Sequence, residues 1–399
     1  MSRRSFRTGK VLLFVMGLFG AMSSLSIAQE ETISDADEFV SAAPTWRLRG
    51  EYLHWWASRT SLPALVSSSP PGTIRQDAGV LGTLGATVLY GNNSVGGGDR
   101  SGGRLTLSRW LDDESITGIE FSGFIVGDDF QSGDFTASSN GVDIISRPFF
   151  NAVSGQEDAE LVSFPGVLAG RVTVSSYSEI YSGAALIRQN LGLGSRGRLD
   201  LLGGYRYLRF RESLTITENL GSIDPGGLVP IGTTFDIEDR FSVANDFHGF
   251  DAGLSAEFFI GDRLTLELLA KAAIGEVTRR STISGRSIVT VPANAPTTTA
   301  GGLLALPTNI GSRVDRDFGV IPEFGINGNL AISGNTSLQF GYSLILFNDI
   351  LRAGQQIDRS VNTSQIGGNP LVGTNRPEFG WRSSDLLLHG LSIGIETRW

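Results

Sequence analysis

Two long runs of alternating residues, joined by a two-residue turn, constrain the fold of this chain more than any other feature. The first run, residues 248–260, places apolar or aromatic side chains at every second position and mostly Gly, Asp, Ser or Glu between them. The second run, residues 264–274, repeats the alternation directly after the turn Gly261-Asp262. A period of two indicates β-strands, and a two-residue turn of this composition is typical of a hairpin. Both runs exceed the usual strand of about 5 to 6 residues and suit tilted strands that cross a membrane with about 9 to 11 residues.

The same alternation occurs in ten segments, from residues 46–57 to residues 385–399. Four short turns join neighbouring segments, near residues 112–115, 192–197, 261–262 and 333–335. Five long connections separate the resulting pairs, near residues 58–101, 127–166, 211–246, 277–315 and 349–384. Short periplasmic turns that alternate with long extracellular loops are typical of outer-membrane barrels. The sequence therefore predicts an all-β fold, a transmembrane antiparallel up-and-down β-barrel of about ten strands, with twelve as the alternative.

A secreted lipocalin-like barrel is the soluble alternative, because it would also alternate apolar and polar side chains. Three features oppose this alternative. They are the length of the strands, the regular alternation of long loops with short turns, and the many small or charged residues on the less apolar face. We therefore place the apolar face against lipid and the other face in the lumen.

The first residues have the features of a secretory signal peptide. Four cations lie within residues 1–10, residues 11–22 are apolar, and the sequence Ser26-Ile27-Ala28 fits a cleavage site. The apolar run is shorter than the roughly 20 residues that a spanning helix needs. We predict a signal peptide over residues 1–28, a flexible periplasmic leader over 29–45 and a barrel domain over 46–399, exported to the cell outer membrane.

Composition excludes several classes of function. The chain has no cysteine, so disulfides and thiolate metal sites are absent, and its net charge of −9 argues against a nucleic-acid partner. The acidic turn 112–114 lacks the spacing of a calcium loop, and the Gly-rich segment 96–103 lacks the Lys-Ser/Thr of a phosphate-binding loop. We predict no metal and no cofactor.

The first and last strands are predicted to pair and to carry aromatic residues at the membrane interface. These interface aromatics are Trp46, Tyr52, Trp56 and Trp399. A last strand that alternates and ends on Trp399 resembles the C-terminal strands that the barrel-assembly machinery of bacteria recognises. The predicted partners are therefore outer-membrane lipid and this machinery, with the oligomeric state left open.

Several segments together resemble the β-barrel porin-7 family of planctomycete outer-membrane proteins. They are Trp46 with Glu51-Tyr52-Leu53 and Trp56, the segment Arg100-Ser101-Gly102-Gly103-Arg104-Leu105, the step Arg147-Pro148-Phe149 and the strand Gly204-Tyr205-Arg206-Tyr207-Leu208. The resemblance covers nearly all of residues 46–399. It implies an outer-membrane barrel with a porin-like role and supplies no substrate or active site.

Charged residues on the inward face are the candidate site. The predicted lumen-lining residues are Arg47, Arg49, Glu51, Arg104, Glu120, Asp200, Arg206, Asp251, Glu257, Arg263, Glu267, Lys271, Glu396 and Arg398. Further inward residues on the same reasoning are Arg171, Glu179, Asp317 and Glu323. In an open pore they would select ions, whereas in a narrow barrel they would neutralise one another. Side chains fill barrels of about 8 strands, and water-filled porins have about 16 to 18, so a structural network is favoured.

Three functions remain open from the sequence. The first is porin-like passive passage of small solutes, and the second is a closed structural or surface-interaction barrel without transport. The third and most remote is a lipid hydrolase that would use His389 with Ser392 or Ser58. No supporting acid or oxyanion donor can be assigned, so we predict that the protein is not an enzyme and that His54, His248 and His389 are interfacial residues.

Overall fold

The computed structural model describes residues 46–95, 98–128, 134–192 and 194–399. The predicted signal peptide, residues 1–28, and the predicted leader, residues 29–45, lie outside the described residues. Within the described part of the chain, no helix combines the length and the apolar character needed to cross a membrane.

Ten antiparallel strands form a closed barrel, which confirms the predicted fold. Each strand pairs with the next, and β10 pairs with β1 to close the sheet. Two backbone hydrogen bonds between Trp46 and Trp399, of 2.9 and 3.1 Å, end this seam. The strands are β1 (Trp46–Ala57), β2 (Asp99–Trp110), β3 (Thr117–Asp128), β4 (Leu168–Asn190), β5 (Gly197–Ser222), β6 (Thr234–Ile260), β7 (Leu264–Thr290), β8 (Gly311–Ala331), β9 (Thr336–Leu351) and β10 (Ser383–Arg398).

Strands β4 to β8 are much longer than a membrane crossing requires. They contain 23, 26, 27, 27 and 21 residues, so they continue well beyond the lipid-facing part of the barrel. The predicted loop at 211–246 is therefore wrong over most of its length, and the predicted loop at 277–315 is wrong over about half of its length. Only residues 223–233 and 291–310 connect these strands.

The polarity of the two faces inverts along these extensions, which is why the sequence prediction placed loops there. Near the periplasm the interior is charged, whereas beyond the membrane the inward side chains are apolar, such as Val172, Val174 and Ile216. Arg171 and Glu179 consequently point outward, contrary to the prediction that they face the lumen. Water surrounds this part of the barrel, so burial of apolar side chains inside it is favourable.

The extracellular loops fold into what we call the cap, the described parts of residues 58–98, 134–167, 291–310 and 352–382. Its main sheet orders Gln156–Ser163, Ile144–Asn151, Val66–Ser69 and Thr87–Tyr90, and Ser360–Val361 pairs with the second of these. Phe135–Ser139 extends the barrel wall beside β4, and Thr297–Ala300 extends it beside β7. Thr60–Ser61 pairs with Ser94–Val95, and short 3-10 helices span Arg75–Asp77, Ala353–Gln356 and Thr363–Gly368.

Two apolar cores lie inside the sheet. The inner apolar layer is a cluster of buried side chains that includes Leu53, Trp55, Phe124, Ile180, Phe210, Phe247 and Phe347. The cap core joins the strand extensions to the loops and includes Leu65, Phe149, Val172, Leu214, Ile216, Phe241 and Leu304. The loops therefore pack into the mouth of the barrel.

Candidate functional site

The interior of the barrel is the candidate site, and it is layered along the barrel axis. Strand β5 crosses every layer, and its alternate side chains point inward. From the periplasmic end these inward residues are Asp200 and Arg206, then Leu208 and Phe210, then Glu212, then Leu214 and Ile216, and finally Glu218. A charged layer is therefore followed by apolar layers separated by single buried charges.

We call the periplasmic layer the charge layer. Its eight basic side chains are Arg47, Arg49, Arg104, Arg188, Arg198, Arg206, Lys271 and Arg398. Its eight acidic side chains are Glu51, Glu120, Asp200, Asp251, Glu257, Glu267, Glu323 and Glu396. Equal numbers of opposite charges suit a buried network, because an uncompensated charge in such a place is costly.

Around the seam, Arg49 joins strands that are distant in sequence. Its Nη2 lies 2.8 Å from Glu267 Oε2 and 2.7 Å from Glu396 Oε2. Arg47 Nη1 lies 2.8 Å from Glu257 Oε1, and Arg398 Nη2 lies 2.8 Å from Glu396 Oε1. Strands β1, β6, β7 and β10 are thus connected through the lumen as well as through backbone hydrogen bonds.

On the opposite wall, Arg188 is the central cation. It donates from Nη1 to Glu120 Oε2 at 2.6 Å and from Nη2 to Asp200 Oδ2 at 2.8 Å. Arg198 Nε donates to the other oxygen of Asp200 at 2.7 Å. Both oxygens of this buried carboxylate therefore have a charged donor.

A third group reaches across the lumen to β8. Arg206 Nη1 lies 2.6 Å from Glu323 Oε2, and Lys271 Nζ lies 3.6 Å from the same oxygen. Lys271 Nζ also lies 3.5 Å from Asp251 Oδ2. These side chains span the centre of the barrel at the level where a solute would have to pass.

Arg104 marks the boundary between the charge layer and the inner apolar layer. One of its guanidinium nitrogens lies 3.9 Å from Glu51 Oε2. Its guanidinium carbon lies 5.4 Å from the ring centre of Trp55 and 5.8 Å from that of Phe124. The cation thus lies between a carboxylate on one side and aromatic faces on the other.

The free space within the charge layer is small. A cavity of about 60 Å³ lies among the charged side chains, lined by residues that include Arg49, Arg188, Arg206 and Glu323. Within this layer the charged side chains therefore enclose a small cavity.

Buried polar contacts fasten the cap to the barrel wall above. Arg352 Nη2 lies 2.9 Å from Glu212 Oε1, and the amide of Ala353 donates to Glu212 Oε2 at 2.7 Å. Asn245 donates to the carbonyl of Leu351 at 3.0 Å and accepts from its amide at 2.8 Å. The segment that follows β9 is thereby held against β5 and β6.

A second buried contact involves three carboxyl groups and one arginine. Arg147 pairs with Glu218 and with Asp239, and Glu160 lies opposite Arg147 in the cap sheet. Burial raises the pKa of Glu160 well above its usual value, and Glu218 raises it further against the opposing effect of Arg147. Burial also raises the pKa of Glu218, although Arg147 opposes this. The neutral, protonated form of Glu160 is therefore favoured in the folded cap.

Most of the predicted lumen-lining residues lie together in the charge layer. Arg263 differs, because it lies in the exposed turn before β7 and makes no ion pair among the described residues. Arg188 and Arg198 also belong to the charge layer, although neither was among the residues predicted from the sequence. Leu186 and Arg188 lie two residues apart and share the inward face of β4. The alternation along that strand could therefore have identified Arg188.

The predicted interface aromatics lie on the outer face of the seam. Trp46 and Trp399 stack with ring centres 6.4 Å apart, and the side chains of Tyr52 and Trp399 are about half exposed. Trp56 lies between two histidines, with ring centres 5.1 Å from His54 and 5.7 Å from His389. The seam is thus lined with rings at two heights.

The groups of the hydrolase hypothesis are not assembled. His389 faces outward and its Nδ1 lies 2.8 Å from the hydroxyl of Tyr342, whereas Ser392 faces inward and is buried. The hydroxyl of Ser58 accepts the amide of Leu387 at 3.0 Å. In the described residues, no three His, Asp or Glu side chains are grouped so as to hold a metal ion.

Comparison with solved structures yields distant similarity to outer-membrane barrels. The chain is 10% identical to the outer membrane protease OmpT from Escherichia coli over 91% of this chain and 100% of that chain, with a TM-score of 0.39. It is 8% identical to the translocator domain of the autotransporter NalP from Neisseria meningitidis over 90% of each chain, with a TM-score of 0.23. A FadL homologue from Pseudomonas aeruginosa is 10% identical over 89% of each chain, with a TM-score of 0.22.

No curated protein sequence is significantly similar to this chain. A family profile, however, matches residues 46–399, the whole extent of the ten-stranded barrel and its cap. The match confirms the resemblance seen in the sequence segments of β1, β2 and β5. The chain therefore belongs to the family described as Putative beta barrel porin-7, a family of outer-membrane β-barrel proteins.

Proposed function

We propose that this outer-membrane barrel is a closed anchor that presents a folded cap at the cell surface, and that it does not pass solutes and is not an enzyme. The observation that carries the proposal is that buried side chains cluster inside the barrel at three successive levels. These are the charge layer, the inner apolar layer and the cap core.

The charge layer supports closure because its ion pairs reach across the lumen. A water-filled pore needs free volume along its axis, whereas the cavity here is only about 60 Å³. Passage of an ion would require several buried pairs to separate together, each at the cost of exposing an uncompensated charge. Such a layer favours a static plug.

The inner apolar layer is a second barrier. Trp55, Phe210, Phe247 and Phe347 are each at most 2% exposed and meet inside the barrel. An apolar constriction excludes water and raises the energy of an ion that enters it. Opening the charge layer alone would therefore leave the axis blocked.

The cap supplies the surface that the anchor would present. Its loops share one hydrophobic core with the barrel extensions and are fastened by buried contacts at Glu212, Asp239 and Asn245. Loops that a rigid scaffold holds in place are common sites of recognition. We infer that the cap contacts a partner or the neighbouring cell surface.

Passive passage of small solutes is the second candidate function. The family description, which names a porin, and the polar cavity in the charge layer favour it. It would require the cap core and the inner apolar layer to move aside, and both are continuous apolar cores.

Single-channel recording in planar bilayers distinguishes the two functions. We expect the purified protein to show no steady conductance, with an open porin inserted in the same bilayer as the positive control. A triple variant, Trp55→Ala with Phe210→Ala and Phe347→Ala, should show more frequent brief openings because the inner apolar layer is weakened. Large steady conductance of the unmodified protein would refute the closed anchor.

A further inference from the structure

An exposed basic patch lies on the outer wall of the barrel, above the lipid-facing surface of β5, β6 and β7. We call it the arginine patch. Its cations are Arg211, Arg240 and Arg280, and its floor consists of Ser213, Ser242, Ala244 and Thr282. The charge layer and the cap make no use of these residues.

The register of the sheet gives the patch a concave centre. Arg211 of β5 and Arg280 of β7 both pair with Ala244 of β6, one on each side. Strands lie about 4.8 Å apart, so the two arginine Cα atoms are roughly 10 Å apart across a small residue. Arg240 lies four residues along β6 from Ala244, at about 13 Å, and its Nε donates to Ser242 Oγ at 3.3 Å.

Hydroxyl side chains line the space between the three arginines. The next row of the sheet pairs Ser213 with Ser242 and Ser242 with Thr282, so three hydroxyl groups stand side by side. All three are only partly exposed, whereas the three arginines around them are exposed. Guanidinium and hydroxyl groups are the donors that proteins use to bind phosphate oxygens.

The arginines of the patch form no ion pairs in the described part of the chain, unlike the neighbouring outward arginines. Neighbouring outward arginines each have an acidic partner, namely Arg209 with Asp246 at 3.2 Å, Arg286 with Glu238 at 3.2 Å and Arg316 with Glu276 at 3.8 Å. Among the described residues, Arg211, Arg240 and Arg280 form no ion pair. Glu179 lies beside Arg211 on β4, where the hydroxyl of Tyr177 donates to it at 2.6 Å. Three free cations stand out on a chain with a net charge of −9.

The height of the patch relates it to the membrane. Below it on the outer face, Tyr207 and His248 have ring centres 4.8 Å apart, and the outward residues beneath them, such as Phe250 and Leu254, are apolar. Such rings mark the membrane interface. Arg211 lies four residues beyond Tyr207, which on a strand tilted by about 40° is roughly 10 Å higher. Arg280 is level with Arg211, so both side chains can reach the polar headgroups, whereas Arg240 lies roughly 10 Å higher and can contact only groups that extend further from the membrane.

We propose that the arginine patch binds the phosphate groups of an anionic lipid in the outer leaflet. Arg211 and Arg280 hold one phosphate between them over Ala244, and Arg240 with the row of hydroxyl groups binds its remaining oxygens or a second phosphate on the same headgroup. The inference does not depend on whether the barrel is closed, because it concerns the outer wall alone.

The test compares lipid binding by two matched triple variants of the full-length protein in nonionic detergent. The patch variant carries Arg211→Gln, Arg240→Gln and Arg280→Gln, and the control variant carries Arg171→Gln, Arg286→Gln and Arg316→Gln. Both remove three outward positive charges from the barrel extensions. Native mass spectrometry measures retention of phosphatidic acid, with phosphatidylcholine of the same chains as the second probe, and gel migration with and without heating verifies that each variant is folded.

We expect the unmodified protein and the control variant to retain phosphatidic acid over phosphatidylcholine, and the patch variant to bind phosphatidic acid at least tenfold more weakly. Equal losses in the two variants would show diffuse electrostatic attraction and would overturn the site, as would an unchanged patch variant. Inorganic phosphate at millimolar concentration should compete poorly. If it displaces the lipid fully, the patch is a site for free phosphate and the assignment to lipid is wrong.

Discussion

Arg147 Nη2 lies 2.6 Å from Asp239 Oδ2, which joins a strand of the cap to the wall of the barrel. The other oxygen of Asp239 accepts the amides of Leu304 and Ala305 at 3.1 and 2.8 Å. One carboxylate therefore holds two separate extracellular segments, residues 134–167 and residues 291–310, against β6. It is fully buried, so each of these hydrogen bonds is made away from competing water.

Replacing this carboxylate should loosen the cap and leave the membrane part of the barrel folded. For Asp239→Asn we expect the free energy of opening of the cap to fall by about 3 kcal/mol, because Arg147 loses one of its two buried partners. Native-state hydrogen exchange of the amides of Leu303, Leu304 and Ala305 measures this free energy of opening. Asp236→Asn, an exposed position on the same strand, is the control and should change opening by less than about 0.5 kcal/mol. Equal effects at the two positions would contradict the assigned role.

The raised pKa of Glu160 predicts that the stability of the cap depends on pH. The pKa of Glu160 is raised in the folded state, so the folded protein binds more protons than the unfolded protein between the usual glutamate pKa and the raised value. Stability of the cap therefore falls as pH rises through that window. Glu160→Gln stays neutral and keeps the shape, so it should flatten this dependence and slow proteolysis of the cap several-fold at alkaline pH.

Glu157→Gln is the control for this experiment. Glu157 lies in the same cap strand, pairs with Arg359 and is only partly buried. It should leave the pH dependence of proteolysis unchanged. A Glu160→Gln variant with the same pH profile as the unmodified protein would show that Glu160 is ionised in the folded cap.

Arg49 is expected to be the most sensitive cation of the charge layer. Arg49→Met leaves Glu267 and Glu396 buried without their shared partner, so we expect a loss of about 3 to 5 kcal/mol in the free energy of unfolding. Urea titration of the protein in lipid vesicles provides the measurement. Adding Glu396→Gln should recover part of the loss, and a double variant with purely additive effects would argue against coupling.

Arg109→Met is the matched control for Arg49. Arg109 is exposed on the outer face of β2, with its guanidinium carbon 5.0 Å from the ring centre of Trp46. Its replacement loses one cation-aromatic contact at an exposed site, which costs about 0.5 to 1 kcal/mol. A larger loss at Arg109 than at Arg49 would contradict the importance of the charge layer.

Two adjacent tryptophans test the inner apolar layer. Trp55 is fully buried inside and Trp56 faces outward on the same strand. Trp55→Ala should cost about 3 to 5 kcal/mol through the cavity it creates, whereas Trp56→Ala should cost clearly less. Thermal unfolding, followed by gel migration, measures the stability of the two variants. Trp55→Phe should be tolerated better than Trp55→Ala, because it fills more of the space and the indole nitrogen of Trp55 has no hydrogen-bond partner among the described residues.

Much of the barrel was predictable because each strand carries its own pattern. The alternation in residues 248–260 and 264–274 identified β6 and β7 and the turn between them, where Gly261 adopts a φ of +63° that glycine tolerates best. The parity of β1 likewise predicted which side of Trp46–Ala57 faces the lumen. The extensions of β4 to β8 were not predicted. Beyond the membrane the apolar side chains point inward and the polar ones outward, which reverses the arrangement within the membrane. A period of two indicates a strand in both regions but does not show which face points inward.

The sequence by itself determined the ten strands and their antiparallel order, because these depend on local periodicity and on the lengths of the connections. Only the tertiary structure decided which charges meet inside the barrel. Arg49 and Glu396 are 347 positions apart, and Arg188 finds Glu120 and Asp200 only when the sheet curls into a barrel. Closure of the sheet brings side chains that are distant in sequence into one small volume. The pairing of opposite charges and the packing of side chains inside the barrel are therefore properties of the assembled barrel.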